Sequence, residues 1–199
     1  MKVNHYIGLI GWRSLKFDSA DKVYCDSQTL YWLARVFGKK LNFLPGPKLI
    51  SETNFDQECI FLLPYNIGGL PESKIYILPM FDQAVYIDDK LKEFLIQNKN
   101  AKSLYVCIST PKQNVLGQQI AQYFNGEIHC IGAAINILER KDQKNTLILN
   151  KLNLLFLLFF FRSPGRTLQK IKIIVEEVFK IIFLKPHKKK FKAFLDSIN

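Results

Sequence analysis

The sequence predicts an α/β fold: a Rossmann-like, largely parallel sheet with flanking helices, followed by a C-terminal amphipathic helical appendage. Three observations predict it. Short apolar runs alternate with helical patterns along residues 1–146, as strands alternate with helices in parallel sheets. Apolar residues make up 48% of the 199 and charged residues 23%, which suits a globular core and excludes a disordered chain or a disulfide miniprotein. From residue 147 the pattern changes to a greasy run, a long amphipathic helix and a basic tail.

Lys22–Cys25 is read as a short strand ending at Asp26. Gln28 to Phe37 places Leu30, Tyr31, Leu33, Ala34 and Phe37 at helical spacing, and Gly38 stops the helix. Glu58–Leu63 is a buried strand, closed by Pro64 and the Gly68-Gly69 loop. Lys74–Leu78 is another strand. Asp88 to Gln97 is an amphipathic helix with Leu91, Phe94 and Leu95 on one face and an aspartate cap. Ser103–Ile108 is a strand, Ser109-Thr110-Pro111 a turn, Asn114 to Phe124 a helix, and Glu127–Ile131 a strand that runs into Gly132-Ala133-Ala134. In the appendage, Thr167 to Phe183 carries Leu168, Ile171, Ile174, Val175, Val178 and Ile182 on one stripe. Lys185–Lys192 follows as a basic run.

The charge has a location. Lys and Arg number 28 against 17 acids, a net +11. Ten of the basic residues, against three acids, lie between Arg162 and Asn199. Such a balance favours an anionic partner. No secretory signal is visible, since Trp12, Arg13 and Lys16 follow the first apolar stretch without a cleavage site. Leu147–Phe161 is interrupted by Asn150, Lys151 and Asn153, and a helix of that length spans about 22 Å against roughly 30 Å of hydrocarbon. Cys25, Cys59, Cys107 and Cys130 form no CxxC pair and sit in apolar runs, as reduced thiols of a cytosolic protein do. With only His5, His129 and His187 scattered elsewhere, no metal site is expected.

Ligands of parallel sheets bind beyond the carboxyl ends of the strands. That puts Asp26, the Ser109–Gln113 turn and the Gly132–Ala134 turn on a candidate rim. A carboxylate at Asp26 could take a proton from a hydroxyl; the same residue type there also suits a helix N-cap. The Ser109-Thr110-Pro111-Lys112-Gln113 turn opens a helix whose positive end suits a diphosphate, with Lys112 adding charge. Its plainer reading is a capped helix start with proline near the first position. No Walker or GxGxxG pattern is present. Arg162 and Arg166 flank Pro164-Gly165 and could clamp a phosphate, or form a solvated basic surface. The Thr167 helix and basic tail suit an anionic membrane face, or else a docked helix with a disordered tail.

These pieces, in this order, resemble the WecG/TagA/CpsF glycosyltransferases over about Val3 to Ile182. The strongest stretch is "LYVCISTPKQNVLGQQIAQYF" followed by "IHCIGAAINIL", which is similar to the family's strand, Pro-Lys-Gln-Glu turn, helix, strand and Gly-Ala-Ala segment. "YCDSQTLYWLARVFGKKLNFLPGPKLI" resembles its Asp-Gly helix and following Gly-x-Asp-Leu. "FFFRSPGRTLQK" resembles its Glu-Pro-x-Arg. The resemblance implies an inverting transferase that moves a sugar from a UDP-sugar donor to a polyprenyl-diphosphate-linked sugar acceptor. It implies work in bacterial capsule or exopolysaccharide assembly, peripherally on the cytoplasmic face of the membrane and without a required cofactor. It implies Asp26 as the base, with Asn4, Ser109, Thr110, Pro111, Lys112, Gln113, Gly132, Ala133, Arg162 and Arg166 toward substrate. Homo-oligomerisation is left open.

The chain also departs from the family. Asp-Gly becomes Asp26-Ser27, the turn's final Glu becomes Asn114, and the arginine before Gly-x-Asp-Leu becomes Phe43 or a neighbour. The first strand and the Glu-Trp element have no counterpart. A catalytically degenerate, membrane-associated binding partner is therefore the alternative. A nucleic-acid binder is a further rival, but RRM, KH and zinc signatures are absent and the charge sits on a greasy tail; no nucleic-acid partner is expected.

Overall fold

The computed structural model describes residues 3–9, 12–14, 21–53, 58–79, 87–138 and 164–198. Six strands form one sheet: β1 (Val3–Ile7), β2 (Lys22–Cys25), β3 (Cys59–Leu63), β4 (Ile75–Ile77), β5 (Ser103–Val106) and β6 (Glu127–Cys130). Their order is β2-β1-β6-β5-β3-β4, and every pairing is parallel. The expected α/β fold with a parallel sheet is present, and the parallel order is complete. The helices are α1 (Gln28–Val36), α2 (Gly46–Glu52), α3 (Asp89–Gln97), α4 (Lys112–Ile120), α5 (Pro164–Phe183) and α6 (Lys185–Ser197).

Two sheet faces and one flank are packed separately. On one face, Val3, Ile60, Leu62, Leu104, Val106 and Ile128 meet Leu91 and Leu95 of α3 and Leu116 and Ile120 of α4. On the other, Tyr6, Phe61, Leu63 and Tyr105 meet Ile50 of α2 and Ile135 of a short 3-10 helix, Gly132–Ile137. A fully buried side chain of this size contributes about 1.5–3 kcal/mol. Across the second face the rings of Tyr24, Tyr6, His129, Tyr105 and Phe61 follow one another over five neighbouring strands, with centroids 5.1, 6.2, 5.0 and 5.3 Å apart.

β1 was not expected, because Asn4 and His5 break its apolar pattern. Both are buried, and the His5 ring is hydrogen-bonded at both nitrogens. His5 Nε2 lies 3.1 Å from Asp21 Oδ2, and His5 Nδ1 lies 2.7 Å from Asn114 Nδ2. Gln118 Nε2 donates to the same Asp21 oxygen at 3.2 Å. The network ties β1 and the entry of β2 to α4. An Asn114 N–H donor requires a bare Nδ1, so the imidazole proton of this arrangement sits on Nε2, facing Asp21.

The C-terminal helices share a core with the sheet's flank. Ile181 of α5 and Phe191, Phe194 and Leu195 of α6 pack with Ile7, Leu9, Trp12, Leu30 and Leu33. Trp12 meets Phe191 edge-on at 5.1 Å and donates its Nε1–H to Glu177 at 3.1 Å. The basic run is thus not a disordered tail but helix α6, its lysines outside and its rings inside. On α5 the inward residues are Ile174, Val178 and Ile181, whereas Ile182 of the expected stripe is exposed. Leu168, Val175, Phe179 and Phe183 also face outward. Among the described residues no helix is long and apolar enough to cross a membrane. The run Leu154–Phe161 lies outside the described residues.

Candidate functional site at the carboxyl edge

β2, β6 and β5 end at Cys25, Cys130 and Val106, so the segments following them meet at one edge of the sheet. Asp26 is the first residue beyond β2. The cap expected of it is supplied instead by its neighbour: Ser27 is the N-cap of α1, and its Oγ accepts from Leu30 N at 3.1 Å. Such a cap contributes about 1 kcal/mol, and it leaves the Asp26 carboxylate for other work. Asp26 N donates to Ile7 O at 2.8 Å, which seats the residue against β1. Its Oδ1 accepts from Gly46 N, the first residue of α2, at 2.6 Å. Loss of water around the carboxylate raises its pKa above the ordinary aspartate value; the Gly46 hydrogen bond opposes this only in part.

Gly46 joins Asp26 to the rest of the edge. A Cβ there would lie 2.8 Å from Ala134 Cβ, 3.5 Å from Asp26 Oδ1 and 3.5 Å from Ile131 O. Only a residue without a side chain lets α2 start this close to the segment after β6. The next residue along that segment, Gly132, has φ +60°, a left-handed conformation that glycine adopts without strain. A Cβ on Gly132 would lie 3.1 Å from Gln113 Oε1 and 3.5 Å from Ile108 O. Asp26, Gly46, Ile131, Gly132 and Gln113 are therefore neighbours along this edge, so close that a side chain added at either glycine would meet the next residue.

The 109–113 turn is where this run of neighbours ends. Ser109, Thr110 and Pro111 are exposed, and Lys112 is half-buried. The Thr110–Pro111 peptide is cis. Pro111 is the N-cap of α4 and offers no side-chain hydrogen bond. The helix itself starts at Lys112, two residues before the expected Asn114, and its positive end points to the same edge as Asp26. Gln113 is different in kind: it is 2% exposed, and its Nε2 donates to Thr110 Oγ1 at 3.0 Å. Its carboxamide braces the turn from beneath, and its Oε1 is buried without a partner among the described residues.

The other expected positions are more dispersed. Asn4 lies inside β1, opposite His129 in register and three residues before the strand ends. Ala133 lies in the 3-10 helix that begins at Gly132, and Arg166 in the first turn of α5. Arg162 is outside the described residues. Among the described residues, no three His, Cys, Asp or Glu side chains gather as a metal-binding group. The four cysteines are buried thiols outside any disulfide; burial pushes the Cys25 thiol up to about 12 and also raises Cys107 and Cys130. These thiols stay protonated and are poor nucleophiles. His129 is held below its ordinary value by burial, with Glu127 opposing, and lies 3.3 Å from the Tyr6 hydroxyl.

Gly46 was not among the expected site residues, whereas Ala134 closes the expected Gly132–Ala134 rim turn. The Pro45-Gly46-Pro47 sequence was the one local signal for Gly46, since glycine between prolines marks a special backbone position.

The fold and site thus define a parallel α/β protein whose carboxyl edge holds a desolvated carboxylate beside a helix N-terminus. No family model, curated protein or solved structure matches the chain.

Proposed function

We propose that the chain is an inverting glycosyltransferase of the kind its motifs resemble, the WecG/TagA/CpsF family. It would move a sugar from a UDP-sugar donor to a polyprenyl-diphosphate-linked acceptor in cell-surface polysaccharide assembly. The observation that carries this reading is the run of neighbours from Asp26 through Gly46 and Gly132 to the 109–113 turn. It supports a reading in which a base and an anion-ready helix end serve one transfer, as such a reaction requires.

In this reading Asp26 takes the proton of the acceptor hydroxyl as that oxygen attacks the anomeric carbon. A carboxylate with a raised pKa is a stronger base than an ordinary aspartate, so the raised value favours the step. The start of α4 and Lys112 stabilise the charge that develops on the leaving UDP, with Arg162 and Arg166 as further partners. The outward apolar residues of α5 and the lysines of α6 hold the enzyme on an anionic membrane surface.

The test is UDP release by the purified chain, using a panel of UDP-sugars and a short polyprenyl-diphosphate-sugar acceptor. Release that needs both substrates and disappears in Asp26→Asn is expected. Full activity in that variant removes Asp26 as the base. No release with any donor, from protein that still binds anionic vesicles, favours the non-catalytic alternative.

A further inference from the structure

The amino edge of the sheet carries a chemically labile pair. Asn125-Gly126 is the single Asn-Gly sequence of the chain, and no Asp-Gly is present. It lies between the end of α4 and the start of β6, at the opposite edge from Asp26. β6 enters the sheet immediately after it: Glu127 N donates to Lys102 O at 2.8 Å, and Glu127 stands opposite Ser103 in register. That entry is tight. A Cβ on Gly126 would lie 2.4 Å from Lys102 O and 2.8 Å from Ala101 O. The obstructing backbone is itself tied down, since Lys102 N and Ser103 N both donate to Glu58 O, at 2.8 and 3.2 Å. Only glycine passes here. The fold therefore fixes a glycine after Asn125, and with it the labile pair.

Asparagine is among the thermolabile residues, and most so before glycine, where no β-carbon shields the next backbone nitrogen. When Gly126 N gives its proton to hydroxide, its electron pair can attack Asn125 Cγ. The N–Cγ bond forms and the Cγ–Nδ2 bond breaks. Nδ2 leaves as ammonia after taking a proton from water, which regenerates hydroxide and leaves a succinimide. Water then opens the ring. Attack at the side-chain carbon gives aspartate; attack at the main-chain carbon gives isoaspartate, whose backbone runs through Cβ and Cγ. The structure leaves both reacting groups available. Asn125 is exposed, and among the described residues no backbone carbonyl accepts from Gly126 N. Asn114 is in the reverse situation: it is helical and buried, its amide is held on His5, and Val115 follows it.

We propose that Asn125-Gly126 is a spontaneous modification site of the folded chain, which converts to isoaspartate and loosens the entry of β6. Isoaspartate inserts one extra carbon into the main chain. Gly126 has no room to shift toward residues 101–102 and absorb it. The strain therefore falls on the Glu127 N–Lys102 O hydrogen bond, the first link of β6. The site stands at the edge away from Asp26 and the 109–113 turn, so this inference does not rest on the transferase reading.

The purified chain is aged in neutral and alkaline buffers made with water labelled with heavy oxygen, then digested with trypsin. Asn114, Asn125 and Asn136 fall in one tryptic peptide, residues 113–140, so two of them serve as internal controls. Asn125 should lose ammonia and take up one labelled oxygen, with isoaspartate assigned by fragmentation, while Asn114 and Asn136 stay unchanged. The rate should rise about tenfold per pH unit, following the fraction of ionised nitrogen. The native chain should convert within about tenfold of the rate in urea, because an exposed connection opens at almost no cost. Asn125→Gln, whose longer side chain closes a ring slowly, should keep its mass. Aged wild type should melt about 2–4 °C below fresh protein, the effect of one backbone hydrogen bond in a chain of this size, and aged Asn125→Gln should not. Conversion confined to the urea-unfolded chain overturns the proposal, as does a rate at Asn125 no greater than at Asn114 and Asn136. Conversion with unchanged melting, or an equal loss in aged Asn125→Gln, overturns the loosening of β6.

Discussion

Two aspartates bracket β2, and they live in opposite circumstances. Asp21, at the entry, is paired with His5 and receives Gln118. Asp26, at the exit, has one hydrogen bond to its carboxylate among the described residues, from a backbone N–H, and a raised pKa. The same side chain joins strand to helix at the amino edge of the sheet and, at the carboxyl edge, is the base of the proposed transfer. Partners mark the difference: Asp21 meets two side chains, whereas the Asp26 carboxylate meets one backbone N–H among the described residues.

The comparison breaks most sharply in activity. Asp26→Asn should lower UDP release by about 10²–10⁴-fold, measured as initial rate, yet its Oδ1 can still accept from Gly46. Next in size, Asp21→Ala leaves His5 buried without its carboxylate. A buried N–H donor left without its acceptor costs about 1–3 kcal/mol, so urea unfolding should show a loss of stability in this variant. A Gly46→Ala change places a Cβ 2.8 Å from Ala134 Cβ. Overpacking of this kind costs about 1–3 kcal/mol. The double variant Gly46→Ala/Ala134→Gly should recover much of the loss in thermal melts, because the offending atom is gone; no recovery would mean that the close approach is not what Gly46 provides.

The smallest effect is in pH dependence. Asp26 has a folded-state pKa above its ordinary 3.8, so the folded chain binds that proton more tightly than the unfolded one. Its contribution to stability therefore falls as pH rises from about 3.8 through the raised value, then stays constant. Asp26→Asn should remove this fall and melt no lower than wild type at neutral pH. Activity runs the other way, declining as pH drops through the same raised value. A wild-type profile with no acid limb would separate Asp26 from the proton transfer.

The sequence made some of this legible and hid the rest for physical reasons. β3 and β5 were readable because every residue of "CIFLL" and most of "SLYV" is apolar. β1 was not, because Asn4 and His5 look like solvent-facing residues, and His5 is buried only because the fold brings Asp21 and Asn114 to it. α6 was hidden by its own lysines: Phe191, Phe194 and Leu195 hold an i, i+3, i+4 spacing inside a basic run. α2 was hidden by the prolines around Gly46. Asp26, the 109–113 turn and Gly132 were legible as a rim because strand ends gather ligands in parallel sheets. That Ser27 and not Asp26 caps α1 was undecidable locally, since either residue type serves. The Gly46–Ala134 approach joins residues far apart in sequence, and no local pattern encodes it.

The position of β1 also sets a timetable. The first strand lies between β2 and β6, and Ile7, Leu9 and Trp12 are covered by Phe191, Phe194 and Leu195. During synthesis, Val3–Ile7, Leu9 and Trp12 emerge long before their partners: β1 gains its inner neighbour only after residue 127, and this flank its cover only after residue 191. Pairings of such sequence separation form slowly. Until α6 leaves the ribosome, the nascent chain carries an open strand edge and a greasy flank, the features that draw chaperones to an unfinished protein.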